Sequence, residues 1–158
     1  MLFENFENDI KTKLQTDLGA AVNVEVEPQF EGENIQPFIK SRITIFLDQS
    51  EFDKTKTTQY IAQDENTKVF LLVRSRTLRG ENGIYDLTEK IRKSIVGFQP
   101  LNWDKIWFVK ISFDERFKAM WSYVVVVGSK SMIVEEIEEP VEIPLTQPSA
   151  TFVDEQYN

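Results

Sequence analysis

The sequence contains neither cysteine nor histidine among its 158 residues. Disulfide frameworks, Cys/His zinc sites, cysteine nucleophiles, histidine-dependent triads and imidazole pH switches are therefore excluded. The missing cysteines also fit a reducing compartment, although a secreted protein of this size can do without them. These absences remove most familiar hydrolase and metalloenzyme classes without naming a function.

Long apolar runs are also missing. No run reaches the roughly 18 residues that a membrane-spanning helix needs, and residues 1–4 lack the basic flank and the long apolar stretch of a signal peptide. We therefore expect a soluble protein that is made in the cytoplasm and has no membrane partner.

Basic residues are absent from the last part of the chain. Residues 131–158 carry seven acidic and no basic side chains, whereas residues 1–130 carry 18 basic and 19 acidic ones. Binding to duplex DNA gains much of its free energy from counterion release by clustered Lys and Arg. The distribution therefore argues against a sequence-specific nucleic-acid partner.

Two segments have the apolar spacing of amphipathic helices. The residues that form the two apolar stripes are Phe3, Phe6, Ile10, Leu14 and Leu18 in the first segment, and Ile84, Leu87, Ile91 and Ile95 in the second. Gly19 is expected to end the first helix. Asn82 is predicted to cap the second, and Gly97 to stop it.

Alternating or β-branched segments predict strands at 22–26, 39–48, 68–77, 105–114 and 117–127, with a further short edge strand at 132–134. The link 114–116 suggests an antiparallel hairpin. Residues 29–37 are expected to form a loop. The polar stretch 49–67 is expected to be a long exposed loop or a mobile hairpin, because loops of this length are either functional or poorly ordered.

This order predicts an α+β fold of two layers, a mainly antiparallel sheet with both helices packed on one face. The domain is expected to span 1–134, followed by an extended, acidic, proline-containing arm at 135–158. If odd-numbered strand positions face the helices, the second face carries seven apolar residues: Phe46, Phe70, Leu72, Phe108, Met120, Val124 and Val126. A half-apolar second face suggests contacts within an oligomer.

The most prominent charged feature is the group Arg74, Arg76 and Arg79. Guanidinium groups bind phosphates and carboxylates bidentately, but alternate arginines on a strand can also be solvated or pair with a neighbouring subunit. The turn Gly80-x-x-Gly83 lacks the Lys and Ser/Thr of a P-loop and the third glycine of a dinucleotide site. Trp103, Trp107 and Trp121 could stack on single strands, although burial is the simpler expectation.

Acidic residues are numerous, but none of their spacings selects a catalytic pair or an ion-binding loop. No side chain stands out as a nucleophile with an activating base. We therefore expect no catalytic residue, no cofactor and no metal, and a protein that is not an enzyme. A hydrolase that uses two carboxylates is the competing class, and it requires a cleft in which both have shifted pKa values.

From Val73 to Val127 the sequence resembles the tail terminators of contractile-tailed phages, particularly those of Mu-like prophages. The matching features are Arg74-Ser75-Arg76, the Gly80-x-x-Gly83 turn, the helix from Ile84-Tyr85-Asp86-Leu87 to Gly97-Phe98-x-Pro100, the strand Ile106-Trp107-Phe108-Val109 and the strand Trp121-x-Tyr123-Val124-Val125. With the first helix, the resemblance covers about 130 residues. The sequence departs from it in the polar stretch 49–67 and the acidic C-terminal arm.

The resemblance implies a homo-oligomeric ring, usually a hexamer, that sits on the last ring of the tail tube and stops growth of tube and sheath. It implies contacts with the tube, the sheath and a neck or head-completion protein, in a particle assembled in the bacterial cytoplasm. Arg74, Arg76, Arg79 and segment 49–67 are the candidate ring or tube contacts. The arm could dock on a neighbour or on sheath subunits by adding a strand through Ile143, Leu145, Phe152 and Val153. The alternatives are a neck or head-completion adaptor, or a small module that binds a partner through its acidic arm.

Overall fold

The computed structural model describes residues 2–27, 41–57, 59–117 and 119–136, without the side chain of Phe117. It contains two helices and five strands: α1 (Leu2–Leu18), β1 (Val22–Val26), β2 (Ser41–Phe52), β3 (Ala62–Ser75), α2 (Ile84–Ile95), β4 (Trp107–Phe117) and β5 (Met120–Val134). The strands form one sheet in the order β1-β2-β3-β5-β4. Only the β1–β2 pair is parallel. The predicted α+β class with a mainly antiparallel sheet is confirmed.

Both helices bury the predicted apolar stripe against the same face of the sheet. The fully buried residues of the layer between helices and sheet include Ile10, Leu14, Ile84, Leu87, Ile91 and Ile95 from the helices and Ile43, Ile45, Val69, Leu71, Val73, Val125 and Val127 from the strands. The odd-numbered positions of β2, β3 and β5 therefore face the helices, as expected. Trp103 closes one end of this layer by stacking on Phe6, with 4.4 Å between the ring centroids.

Both helices stop where glycine permits a positive φ, with +78° at Gly19 and +83° at Gly97. The predicted cap of α2 is wrong. Gly83 occupies the N-cap position, where no side chain bonds to the helix. Asn82 lies one residue earlier with φ of +56°, and its backbone N–H donates to Asp86 Oδ2 at 2.9 Å. A carboxylate in the first turn thus satisfies the donor and interacts favourably with the helix dipole.

Several predicted strand boundaries are wrong because polar residues continue the strands. β2 runs to Phe52 and β3 begins at Ala62, six residues before the predicted start. The Ser50 hydroxyl donates to Glu65 Oε1 at 2.6 Å and lies 2.7 Å from the Thr67 hydroxyl. Cross-strand hydrogen bonds therefore replace the apolar alternation by which strands are recognised.

The β4–β5 pair also departs from the prediction. Paired residues continue to Phe117 and Met120, so the connection lies beyond the predicted link 114–116. Segment 132–134 is the end of β5 and pairs with β3 instead of forming a separate edge strand. Residues 49–52, 62–67 and 129–134 thus form a three-stranded part of the sheet, which we call the distal extension. The predicted loop 29–37 and the arm beyond residue 136 lie outside the described residues.

Candidate functional site

The face of the sheet opposite the helices, here called the outer face, consists of rows of paired residues. Paired residues in antiparallel strands project from the same face. Two central rows contain five of the predicted interface residues. The first row consists of Phe46, Phe70, Val126 and Lys110, and the second of Thr44, Leu72, Val124 and Ser112. Lys110, Thr44 and Ser112 are the members that were not predicted. Met120, at the start of β5, pairs with Phe117 and shares the even-numbered outer face with Val124 and Val126.

The outer face exposes less apolar surface than expected. Phe46 and Phe70 pack edge to face with 5.3 Å between ring centroids. Val126 is only 2% exposed, and Phe46, Phe70, Leu72 and Val124 are half-buried. The strongly exposed apolar side chains of the described residues lie elsewhere, mainly along β4 and at the distal extension.

The placement of Phe108 on this face is wrong. Phe108 pairs with Val127, packs against the core on the helix side and lies 5.8 Å below the guanidinium of Arg92 in α2. The cause is a bulge between Phe108 and Lys110 that reverses the phase of β4. Trp107 correspondingly lies on the outer face beside Gly128, where it is 42% exposed, so its expected burial is also wrong.

The three predicted arginines do not form one cluster. Arg74 lies on the outer face in a row with Arg42 and Ser122. Arg42 is 3% exposed, and its Nε lies 3.1 Å from Glu25 Oε1. Arg76 and Arg79 follow the end of β3 as exposed residues, and Arg79 stacks over the Tyr85 ring at 5.7 Å. These three arginines therefore do not form a single guanidinium pocket for an oxyanion.

A second apolar surface, which sequence reasoning missed, lies on the helix side of β4 beyond the cover of α2. We call it the aromatic ledge, and its members are Tyr85, Ile111, Phe113, Trp121 and Tyr123. Phe113 is 54% exposed, and its ring lies edge-on to Tyr123 at 5.5 Å and to Trp121 at 6.4 Å. The odd-numbered alternation correctly predicted that Ile111 and Phe113 lie on the helix side, but it did not show that these side chains stay exposed there.

Polar groups border the aromatic ledge. Arg116 lies over the Trp121 ring at 4.9 Å, and the Tyr85 hydroxyl lies near that of Tyr123. Burial and the neighbouring Tyr85 hydroxyl raise the pKa of Tyr123 above its ordinary 10.0. Aromatic and arginine side chains together are typical of the centres of protein interfaces.

The two edges of the sheet differ. At the β1 edge, the Gln15 side chain accepts from Val24 N at 3.1 Å and donates to the Val22 carbonyl at 3.0 Å. The Gln15 amide thus occupies backbone hydrogen-bonding groups that an added strand would need. At the other edge, β4 spans 11 residues, and no strand of the described chain pairs with its outer side. The β4 edge is therefore the open one, and it lies directly beside the aromatic ledge.

The distal extension contains an ion-pair clamp. Asp64 lies 2.7 Å from Lys130 Nζ and 2.8 Å from Lys56 Nζ. Hydrogen bonds from Lys130 and then Lys56 hold the pKa of Asp64 below its ordinary 3.8. The clamp borders a cavity of about 420 Å³ whose lining also includes Trp103 and Asp104. It joins the connection after β2 to the ends of β3 and β5.

The carboxylates of the described residues do not form an acid–base pair. Glu7 is the described carboxyl whose pKa is raised, primarily by burial, and it accepts a hydrogen bond from Leu47 N at 3.0 Å. It does not line the cavity that contains Asp64. No group of three or more acidic side chains in the described ranges could hold a metal ion.

No helix in the part of the chain that the structure describes combines the length and apolar character needed to cross a membrane. In the comparison with solved structures, the fold is similar to that of a chain from the virion of a native gene transfer agent particle. The TM-score is 0.50 at 12% sequence identity, over 84% of this chain and 96% of that one. This likeness concerns the fold. No curated protein sequence matches the chain.

The model of the Gp37 protein family matches residues 10–151. The match extends from α1 through all five strands and on beyond β5, so it covers most of the 158 residues. The chain therefore belongs to the Gp37 protein family.

Proposed function

We propose that this chain is a structural protein of a phage-like particle and that it acts there as the tail terminator. Its copies would form a ring, in the resembling family usually a hexamer, that caps the tail tube and stops growth of tube and sheath. Support comes from the Gp37 family match, the fold shared with a chain of a gene transfer agent virion, and the resemblance of residues 73–127 to tail terminators.

The observation that carries the proposal is the unequal pair of sheet edges. A molecule with one open and one closed edge cannot form the same contact symmetrically through both edges. It favours heterologous contacts, in which one surface of a copy meets a different surface of the next, and such contacts make a ring when the rotation closes. The β4 edge with the aromatic ledge provides one of these two surfaces.

The composition of that surface fits a permanent contact. Stable interfaces bury about 800 Å² per partner, and most of their binding energy comes from a few aromatic and arginine residues. The aromatic ledge offers Phe113, Trp121 and Tyr85, with Arg79 and Arg116 stacked on two of the rings. The outer face and Arg74 then remain for the tube, the sheath or the neck protein.

The proposal requires no catalytic step and no cofactor. Assembly in the bacterial cytoplasm and a final location in the tail of the particle follow from the same role. The protein contributes shape, complementary contacts and a fixed number of copies.

Purified full-length protein tests the proposal. Light scattering should give a discrete oligomer, and electron microscopy should show rings that bind the ends of purified tail tubes. Phe113→Ser should weaken both, whereas Leu101→Ser, which removes an apolar side chain that is 72% exposed outside the ledge, should leave them unchanged. A strictly monomeric protein at high concentration that does not bind tube ends contradicts the proposal.

A further inference from the structure

We propose that residues 139–147 of one copy add as a strand to the open edge of β4 in the next copy. The inference rests on the proposed ring function and names the contact that would join its subunits.

The acceptor is a free strand edge with apolar surroundings. β4 presents unpaired backbone groups along one side, and exposed edges of this kind bind extended segments through main-chain hydrogen bonds. Val109 and Ile111 are 40% and 37% exposed. The equivalent groups of β1 at the other end of the sheet are occupied by Gln15, whereas no described element occupies the outer side of β4.

The donor sequence is suited to pairing on one side only. Pro140, Pro144 and Pro148 are all even-numbered. The backbone N–H groups of successive residues in a strand point to opposite sides, so all missing donors fall on one side. The odd-numbered residues keep their N–H groups on the other side. Proline is tolerated in a sheet where its nitrogen faces away from the neighbouring strand, which makes this segment a terminal strand.

The same segment has one apolar face. Val141, Ile143 and Leu145 alternate with Glu142, Pro144 and Thr146, and alternate side chains of a strand project from the same face. The apolar side chains can therefore cover Ile111 and Phe113 of the aromatic ledge. Pockets for alternate side chains give such strand additions their specificity.

Length agrees with this occupant. Nine residues in a strand span about 30 Å at about 3.4 Å per residue. β4 contains two bulges, between Phe108 and Lys110 and between Phe113 and Glu115, and therefore lies opposite only nine residues of β5, 120–128. The edge of β4 and the proposed donor strand thus have about the same length.

The absence of native cysteine permits a direct test by disulfide crosslinking. Two full-length single-cysteine variants are mixed under mild oxidation, one with Ile111→Cys or Phe113→Cys and the other with Ile143→Cys. Paired residues of neighbouring strands come within disulfide range, so a mixed crosslinked dimer is expected on a non-reducing gel. Thr146→Cys, which projects from the opposite face of the donor strand, is the matched control and should give little dimer.

A chain that carries Ile111→Cys and Ile143→Cys together separates two occupants of the edge. A ladder of covalent oligomers supports donation between copies. A crosslinked monomer shows that the segment covers its own β4 and overturns the proposal, as does the absence of crosslinks at both acceptor positions. If rings form while no crosslink appears, this inference fails and the proposed function stands. If no oligomer forms and tubes are not bound, the function itself fails.

Discussion

The two edges of the sheet carry opposite chemistry. At β1 the edge is five residues long and a glutamine side chain from α1 occupies its backbone groups. At β4 the edge is 11 residues long, contains two bulges and has no partner strand in the described chain. Natural sheets usually protect long edges with charges, proline or a covering element. Charges and bulges occur along β4 as well, but no described element covers its apolar part beside the aromatic ledge.

The largest expected effect concerns the strand that we assign to the open edge. Ile143→Pro removes an odd-numbered N–H and should abolish the oligomer, because the donor strand can then no longer pair along β4. Thr146→Pro places a third proline on the side of the donor strand that already carries Pro140 and Pro144, and it should leave the oligomer intact. Sedimentation of both full-length variants measures the difference. If both variants sediment alike, the argument that the odd-numbered N–H groups pair with β4 fails.

The next effect concerns the side chains beside that edge. Phe113→Ser should weaken assembly about 30-fold, because loss of a central aromatic contact typically costs about 2 kcal/mol of binding free energy. The free energy of unfolding of the monomer should change little, since Phe113 is 54% exposed. A dilution series in the analytical ultracentrifuge gives the affinity, and urea unfolding gives the stability. A large loss of stability with unchanged affinity would assign the ledge to the monomer alone.

The substitution Gln15→Ala tests the closed edge at β1. The substitution removes two hydrogen bonds to β1, and each contributes about 0.5–1.5 kcal/mol to stability. We expect the free energy of unfolding to fall by about 1–2 kcal/mol and the amide of Val24 to exchange faster with solvent deuterium. Thr16→Ala, at an adjacent exposed position, is the control. Unchanged exchange at Val24 would show that Gln15 does not close this edge.

The smallest effect concerns acid pH and the distal extension. Because the pKa of Asp64 is lowered in the folded state, its ion pairs stabilise the fold above its ordinary pKa of 3.8, and this stabilisation is lost as the pH falls through the lower folded value. Asp64→Asn should therefore destabilise the protein at neutral pH and flatten the acid limb of its stability profile. Denaturant midpoints over a pH series measure this, with the exposed Asp48→Asn as control. Parallel profiles for wild type and Asp64→Asn would exclude the clamp as a source of acid sensitivity.

The sequence predicted those parts of the fold in which apolar periodicity and side-chain burial coincide. The stripes of both helices and the inward positions of β2, β3 and β5 follow this pattern. It could not predict the bulge after Phe108, because the apolar alternation continues through it while the backbone changes phase. It also missed the starts and ends of strands where Ser50, Glu65 and Thr67 pair through hydrogen bonds. Trp107 and Phe108 were assigned to the wrong faces for the first reason, and Gln15 was missed because one polar residue on a helix carries no pattern.

The interior of the distal extension has one more consequence. Its buried side chains include Glu65, Thr67 and Ser129, and no residue of β3 before Val69 belongs to the described apolar core. When hydroxyl and carboxylate contacts open, little apolar surface becomes exposed to water, so the local heat-capacity change is small. We expect the amides here to lose protection ahead of those in the centre of the sheet. This end of the sheet is therefore expected to open locally while the remaining strands keep their geometry.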